Sequence, residues 1–213
     1  MNRIDHLVWA AGDLDDAVGE FEAISGVRAA PGGSHPGRGT HNALLSLGPG
    51  CYLEILAPDP AQETPPTLLL PAGPIHRPFL LTFAVACSDI EATADAIAAT
   101  GYERPAINAM SRKTRDGGDL NWRLARMEDH TFGPAIPFLI EWSLIEGRET
   151  PHPSQSTPGG CTLKELRLCH TDEKGVAALI GSMGIDVACR HGHAALTAVL
   201  ETPRGEIALT SER

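Results

Sequence analysis

One pattern recurs three times along this chain, and it limits the possible folds more than any single motif. "IDHLVWAAGDLDDAVGEFEAISGV", "LLTFAVACSDIEATADAIAATGY" and "LKELRLCHTDEKGVAALIGSMGI" each open as an apolar strand. Each then places an aspartate (Asp13, Asp89 or Asp172) where a helix N-cap or first turn wants one. Apolar residues follow at helical spacing: Leu14, Val18, Phe21 and Ile24, then Ile90, Ala94 and Ile97, then Val176, Leu179, Ile180 and Met183. Each helix stops at a glycine (Gly26, Gly101 or Gly184), the residue suited to a left-handed terminus. Ser88 with Glu91 also reads as a capping box.

Strands and hairpin turns come after each helix. "GTHNALLSLG" and "CYLEILAP" follow the first; "PAINAMSRKTR", "LNWRLARMED" and "IPFLIEWSLI" the second; "DVACR", "HAALTAVLET" and "GEIALTS" the third. The unit is strand, helix, then about three strands. Modules are expected at 1–58 and 78–146, with a shorter βαβββ-like unit at 161–213. Proline-rich connectors at 59–77 and 147–160 separate them. The fold class is α+β.

Composition narrows the function. A hydrophobic content of 42% suits a globular chain, and 213 residues can bury a sizeable core. A formal charge of -10 argues against a nucleic-acid partner, which demands a basic face. No apolar run reaches membrane-span length, so no membrane partner is expected. "MNRIDHLVWAAGDL" lacks the apolar core of a secretory signal. Five cysteines without a CxxC pair fit reduced thiols, so a cytoplasmic location is expected.

His6 is the odd residue in the apolar strand "IDHLVWA". By itself it reads as a core histidine bonded to backbone. Regular alternation sets it on a face with Ile4 and Val8, opposite Leu7 and Trp9. Glu54, in "YLEIL", shares its face with Tyr52 and Leu56, in a strand otherwise fully apolar, and Glu141 lies between Ile140 and Trp142. Carboxylates in such surroundings are costly unless paired, hydrogen-bonded or bound to a metal.

With "IDHLVWA..DL" and "GTHNALLSLG..CYLEILAP" on the page, the chain resembles the vicinal oxygen chelate superfamily, and more narrowly its glyoxalase-like branch. The likeness covers residues 1–146. It implies two βαβββ modules paired into a cupped mixed sheet, with a divalent metal (magnesium, manganese, nickel or zinc) inside the cup. It implies His6, Glu54 and Glu141 as metal ligands, with Glu54 or Glu141 doubling as the catalytic base, and puts Thr82 where a second histidine would stand. It also implies a small oxygenated molecule as substrate and lyase- or isomerase-type chemistry assisted by the metal. A metal-free binding protein of the bleomycin-resistance type is the alternative.

Substrate-binding candidates surround that set. Arg38, His41 and Asn42, in "GGSHPGRGTHNALL", are placed to reach the mouth of the cup and hold a carboxylate or carbonyl; a solvated loop is the competing reading. No GxxxxGK[ST] pattern is present, which excludes a phosphate loop there. "MSRKTRDGGDLNWRLARMED" concentrates basic residues on a hairpin. Arg112 or Arg115 would turn inward onto an anionic substrate beside Trp122, unless the hairpin is simply exposed. His130 reads as a loop residue, and His191 with His193 as a turn. Two placements for the third unit are open: over an exposed edge of the cup, or against its twin in a second chain, making a homodimer.

Overall fold

The computed structural model describes residues 1–113, 119–127, 132–142, 144–145, 148–149 and 152–212; for 112–113, 119–120, 144–145 and 148–149 it describes the backbone. The first module comprises β1 (Arg3–Ala10), α1 (Leu14–Ser25), β2 (Ala30–His35), β3 (Thr40–Ser46) and β4 (Tyr52–Pro58). The second comprises β5 (Phe79–Ala86), α2 (Ile90–Ala98), β6 (Ala106–Lys113), β7 (Asp119–Arg126) and β8 (Phe138–Trp142). A two-residue ribbon, β9 (Leu144–Ile145) and β10 (Arg148–Glu149), and the short α3 (Pro153–Ser156) follow. The remaining elements are β11 (Thr162–His170), α4 (Glu173–Ser182), β12 (Cys189–His191), β13 (Ala195–Thr202) and β14 (Gly205–Thr210).

The expected α+β class holds. The eight strands of the two modules build one sheet, ordered β2-β3-β4-β1-β5-β8-β7-β6, with a helix from each module against it. In each module the last strand runs parallel to the first, as β4 beside β1 and β8 beside β5. The two first strands meet antiparallel at the centre. That join places His6 in the middle of the sheet.

The aspartates act as read. Asp13, Asp89 and Asp172 are all N-caps, their side chains accepting from the amides of Asp16, Ala92 and Gly175. The cap ahead of α2 is thus Asp89, and Ser88 with Glu91 makes no capping box. Glu91 pairs instead with Arg104 and Arg123.

The third segment has the expected element order but different wiring. Its sheet runs β12-β11-β13-β14, with the strand after the helix pairing parallel to β11 and β13 pairing on β11's other flank. Leu168, Leu196 and Leu200 join Leu7, Trp9, Phe83 and Phe21 in one buried apolar cluster on the outer face of the large sheet. Burying those side chains between two sheets and three helices removes the apolar surface that would otherwise face water. The concave face has a separate cluster that includes Val8, Ala10, Leu56, Phe79, Ala84, Phe138 and Ile140. Among the described residues no helix is long and apolar enough to cross a membrane.

Candidate functional site

A bulge in β1 builds the centre of the cup. Ile4 pairs with Val85 and His6 with Ala84, so Asp5 is an extra residue in the ladder. Such an insertion re-aims side chains. It sends Ile4 to the outer core, against the expected sharing of a face with His6, and lets Asp5 bond to its own neighbour. Asp5 is fully buried and its Oδ1 lies 2.6 Å from His6 Nδ1. Its Oδ2 accepts from Trp142 Nε1 at 2.8 Å and lies 3.0 Å from His152 Nε2. Burial by itself would raise the Asp5 pKa, but the bonds from His152 and His6 outweigh it and hold the carboxyl well below the usual range. An ionised carboxylate only accepts, so both imidazoles give it an N–H. His152 Nδ1 then accepts from the Ser154 amide. His6 Nε2 is left facing the cup, with the ring stacked on Tyr52 at 4.5 Å.

Across from that nitrogen stands Glu54, with Oε2 3.8 Å from His6 Nε2. Its other oxygen accepts from Asn42 Nδ2 at 2.6 Å, and the same nitrogen is 3.2 Å from His35 Nε2. The reverse amide orientation would set an oxygen against a carboxylate, so the network itself assigns it. Asn42 Oδ1 is buried without a hydrogen-bond partner among the described residues and lies against Gly32, where an added Cβ would overlap it. Gly32→Ala is therefore expected to displace Asn42 and unfasten Glu54, costing about 1–3 kcal/mol of stability, as overpacking does. Thermal melts check it. An unchanged melting temperature would show that Asn42 has room to move.

Both proline-rich connectors serve the site. Leu69 and Ala72, in the first, belong to the cup cluster, and Gly39 lies so close to the backbone of Thr64 and Pro65 that no Cβ fits. His152, in the second, reaches Asp5. Neither contribution shows in the sequence, because each joins residues far apart in the chain.

Glu141 requires a correction. Its Oε1 accepts from the Ile90 amide at the start of α2, and its Oε2 pairs with Arg123 at 2.6 Å, on the helix side of the sheet. Pairing explains the error. Val8 faces Glu54 in the first module, and the matching Ala84 faces Phe138 in the second. Phe138, three residues earlier, is the counterpart of Glu54, and an odd shift reverses the face. His6 and Glu54 thus meet in the cup without Glu141.

The other candidates divide. Thr82 lines the cup, its hydroxyl donating to the Ile136 carbonyl at 3.1 Å. Arg38, Asn42 and Trp122 also line it, and Trp122 is paired with Trp142 at 5.9 Å between ring centres. His41 alternates with Asn42 along β3 and is absent from the lining, contrary to expectation. Arg112 falls near the end of β6, at a position where the backbone alone is described; Arg115 and His130 lie outside the described residues. Arg126, from the same basic hairpin, does line the cup, its guanidinium 4.3 Å from the centre of the Phe138 ring. The parity that sets Trp122 and Leu124 inward includes Arg126, so this signal was present in the sequence. Cys51, beside the site, is pushed up to about 12 by burial and by Asp5, which disfavours a thiolate.

The cavity has a volume of about 710 Å³, ample for a small molecule. Among the described residues the donor set does not fit a resident divalent ion. Catalytic metal sites take about three protein ligands, and here His6 and Glu54 stand opposite Phe138, which has no donor atom, and Thr82, whose hydroxyl is engaged. His35 Nε2 is 3.8 Å from Glu54 Oε1, but the Asn42 N–H is wedged between them. Among the described residues no three His, Cys, Asp or Glu side chains are grouped to hold a metal.

The chain resembles known proteins over most of its length. A hypothetical protein from Staphylococcus aureus matches with a TM-score of 0.65 at 15% identity, covering 99% of this chain and 85% of its own. Methylmalonyl-CoA epimerase from Mycobacterium tuberculosis matches with a TM-score of 0.44 at 19% identity, covering 66% of this chain and 88% of its own. A methylmalonyl-CoA epimerase in complex with methylmalonyl-CoA and NH4+ matches with a TM-score of 0.45 at 21% identity, covering 71% and 99%. No curated protein matches the sequence. The model of the glyoxalase-like domain matches residues 4–183, well over half of the chain. With the paired βαβββ modules and the cupped sheet, that match establishes that the chain belongs to the glyoxalase-like domain family, of the vicinal oxygen chelate fold.

Proposed function

We propose that the cup is the active site of an enzyme that moves a proton on a small oxygenated molecule. One observation carries this reading: the His6 imidazole is clamped through Nδ1–H by the buried, ionised Asp5, and presents Nε2 to Glu54 in the cavity. A fixed tautomer with its lone pair on the cavity side is what a general base requires. His6 takes a proton from a carbon or hydroxyl next to a carbonyl. Asp5 and Glu54 stabilise the resulting imidazolium from either side, and His6 returns the proton to the same or a neighbouring atom. The outcome is isomerisation, or elimination where a leaving group departs. Glu54, held by Asn42, contributes charge at the cavity wall.

A sequestering binder is the second reading, favoured by the aromatic walls of Tyr52, Trp122, Phe138 and Trp142. Solvent-deuterium uptake separates the two. Pyruvate and phenylpyruvate incubated in deuterium oxide are expected to exchange their C–H groups next to the carbonyl faster with the protein than without it, as followed by proton NMR. Ligand binding with no added exchange, across such a panel, would support the binder. Adding Mg²⁺, Mn²⁺, Ni²⁺ or Zn²⁺ is expected to leave the melting temperature unchanged, since an ion that binds the folded state must stabilise it. A rise abolished by Glu54→Gln would return the metal to the cup.

A further inference from the structure

The three partners of Asp5 are linked to one another through their rings. Trp142 on β8 meets His152 edge-on with ring centres 5.4 Å apart, His152 meets Tyr52 at 5.4 Å, and Tyr52 stacks on His6 at 4.5 Å. The two oxygens of the carboxylate are used unequally. Oδ1 lies 2.6 Å from His6 Nδ1, whereas Oδ2 takes both Trp142 Nε1 at 2.8 Å and His152 Nε2 at 3.0 Å. An imidazole nitrogen can donate or accept, but an indole N–H only donates. As long as the Trp142 bond is made, Oδ2 is an acceptor whatever the protonation state of either histidine, and Oδ1 is left to His6. The same indole is a wall of the cavity, paired with Trp122 across β7 and β8.

From this layout we infer that Trp142 is a positioning residue for His6: its N–H fixes the plane of the Asp5 carboxylate so that Oδ1 alone meets Nδ1, which holds the imidazole in the Nδ1–H tautomer with Nε2 toward Glu54. Two donors on Oδ2, one from β8 and one from the second connector, oppose rotation of the carboxylate, since turning it breaks both bonds. A buried carboxylate that loses a charge-assisted bond either turns to find another donor or takes up a proton, and either event loosens its hold on Nδ1. Ring and N–H are one rigid body, so a molecule packed against the Trp142 face touches the side chain that holds the base. The expected effect on rate rests on the proton-transfer reading, whereas the effect on the tautomer needs no substrate.

Heteronuclear NMR of the ring nitrogens in the intact protein is the test. Of the indole N–H signals from Trp9, Trp122 and Trp142, one is expected far downfield because its acceptor is a carboxylate, and Trp142→Phe should remove it. In the wild type His6 is expected to show a protonated Nδ1 and a bare Nε2. In Trp142→Phe those two signals should move toward each other as the second tautomer becomes populated. Trp122→Phe, which alters the same wall but no partner of Asp5, should leave them in place. Deuterium exchange on phenylpyruvate should fall about tenfold in Trp142→Phe, as expected for one lost bond to a charged group. Phenylpyruvate binding, followed by calorimetry, should persist because a phenyl ring still lines the wall. A folded Trp142→Phe with the wild-type His6 pattern, or an equal shift in Trp122→Phe, would overturn the inference. So would a wild-type spectrum with no downfield indole signal, a result that needs no variant to fold. The two readings fail separately. A tautomer change in Trp142→Phe with no exchange by either protein keeps the positioning role and removes the chemistry. Equal exchange by both, on an unchanged tautomer, does the reverse.

Discussion

Asp5→Ala is expected to destabilise the fold by roughly 3–5 kcal/mol, the range seen when one partner of a buried ionic group is removed. Asp5 has no exposed surface and accepts from three side chains: His6, His152 and Trp142. Removing it strands the N–H groups of the buried His6 and His152 and of the half-buried Trp142, and an unsatisfied buried donor retains its full desolvation cost. For a chain of this length the melting temperature should fall by roughly 10 °C. A change within about 0.5 kcal/mol, typical of surface substitutions, would mean that the cluster is not coupled to the fold.

The same group predicts an acid limb. Its pKa in the folded chain lies below the ordinary 3.8, so folding is favoured by its ionisation. That contribution is complete above the ordinary value and is lost as pH falls through the folded one. Melting temperatures measured from about pH 5 to about pH 2 should decline more steeply for the native chain than for Asp5→Asn. Parallel declines would assign acid lability to other carboxylates.

The second large effect concerns chemistry. His6→Ala is expected to lower the protein-dependent deuterium exchange by about 10²–10⁴-fold, the usual contribution of a positioned general base. Glu54→Gln keeps the bond to Asn42 through its amide oxygen but removes the charge facing His6, so a smaller loss is expected, with a changed pH profile. His152→Ala acts through Asp5 and should reduce exchange without weakening phenylpyruvate binding, which separates positioning from binding. Exchange that survives His6→Ala at the native rate would place the base elsewhere.

Much of the fold was legible because its signals are local. The helix caps at Asp13, Asp89 and Asp172 and the alternation that puts Trp122 inward and Arg123 outward depend on residues a few positions apart. That His6 and Glu54 share one site was an implication of the resemblance, with which the alternation along each strand agrees. Glu141 failed for a definable reason. Matching two acids by their letters slid β8 by three places, whereas its parallel ladder with β5 puts Phe138 at the site.

Sequence alone, then, determined the repeating strand and helix order and the α+β class, because periodicity and capping are written in neighbouring residues. Tertiary structure decided the bulge that brings Asp5 beside His6, the arrival of His152 from a connector more than a hundred residues away, and the layering of the third segment on the outer face. Those outcomes depend on how strands pair and which apolar faces can be buried together, and free energy of that kind is settled only when the whole chain has closed on itself.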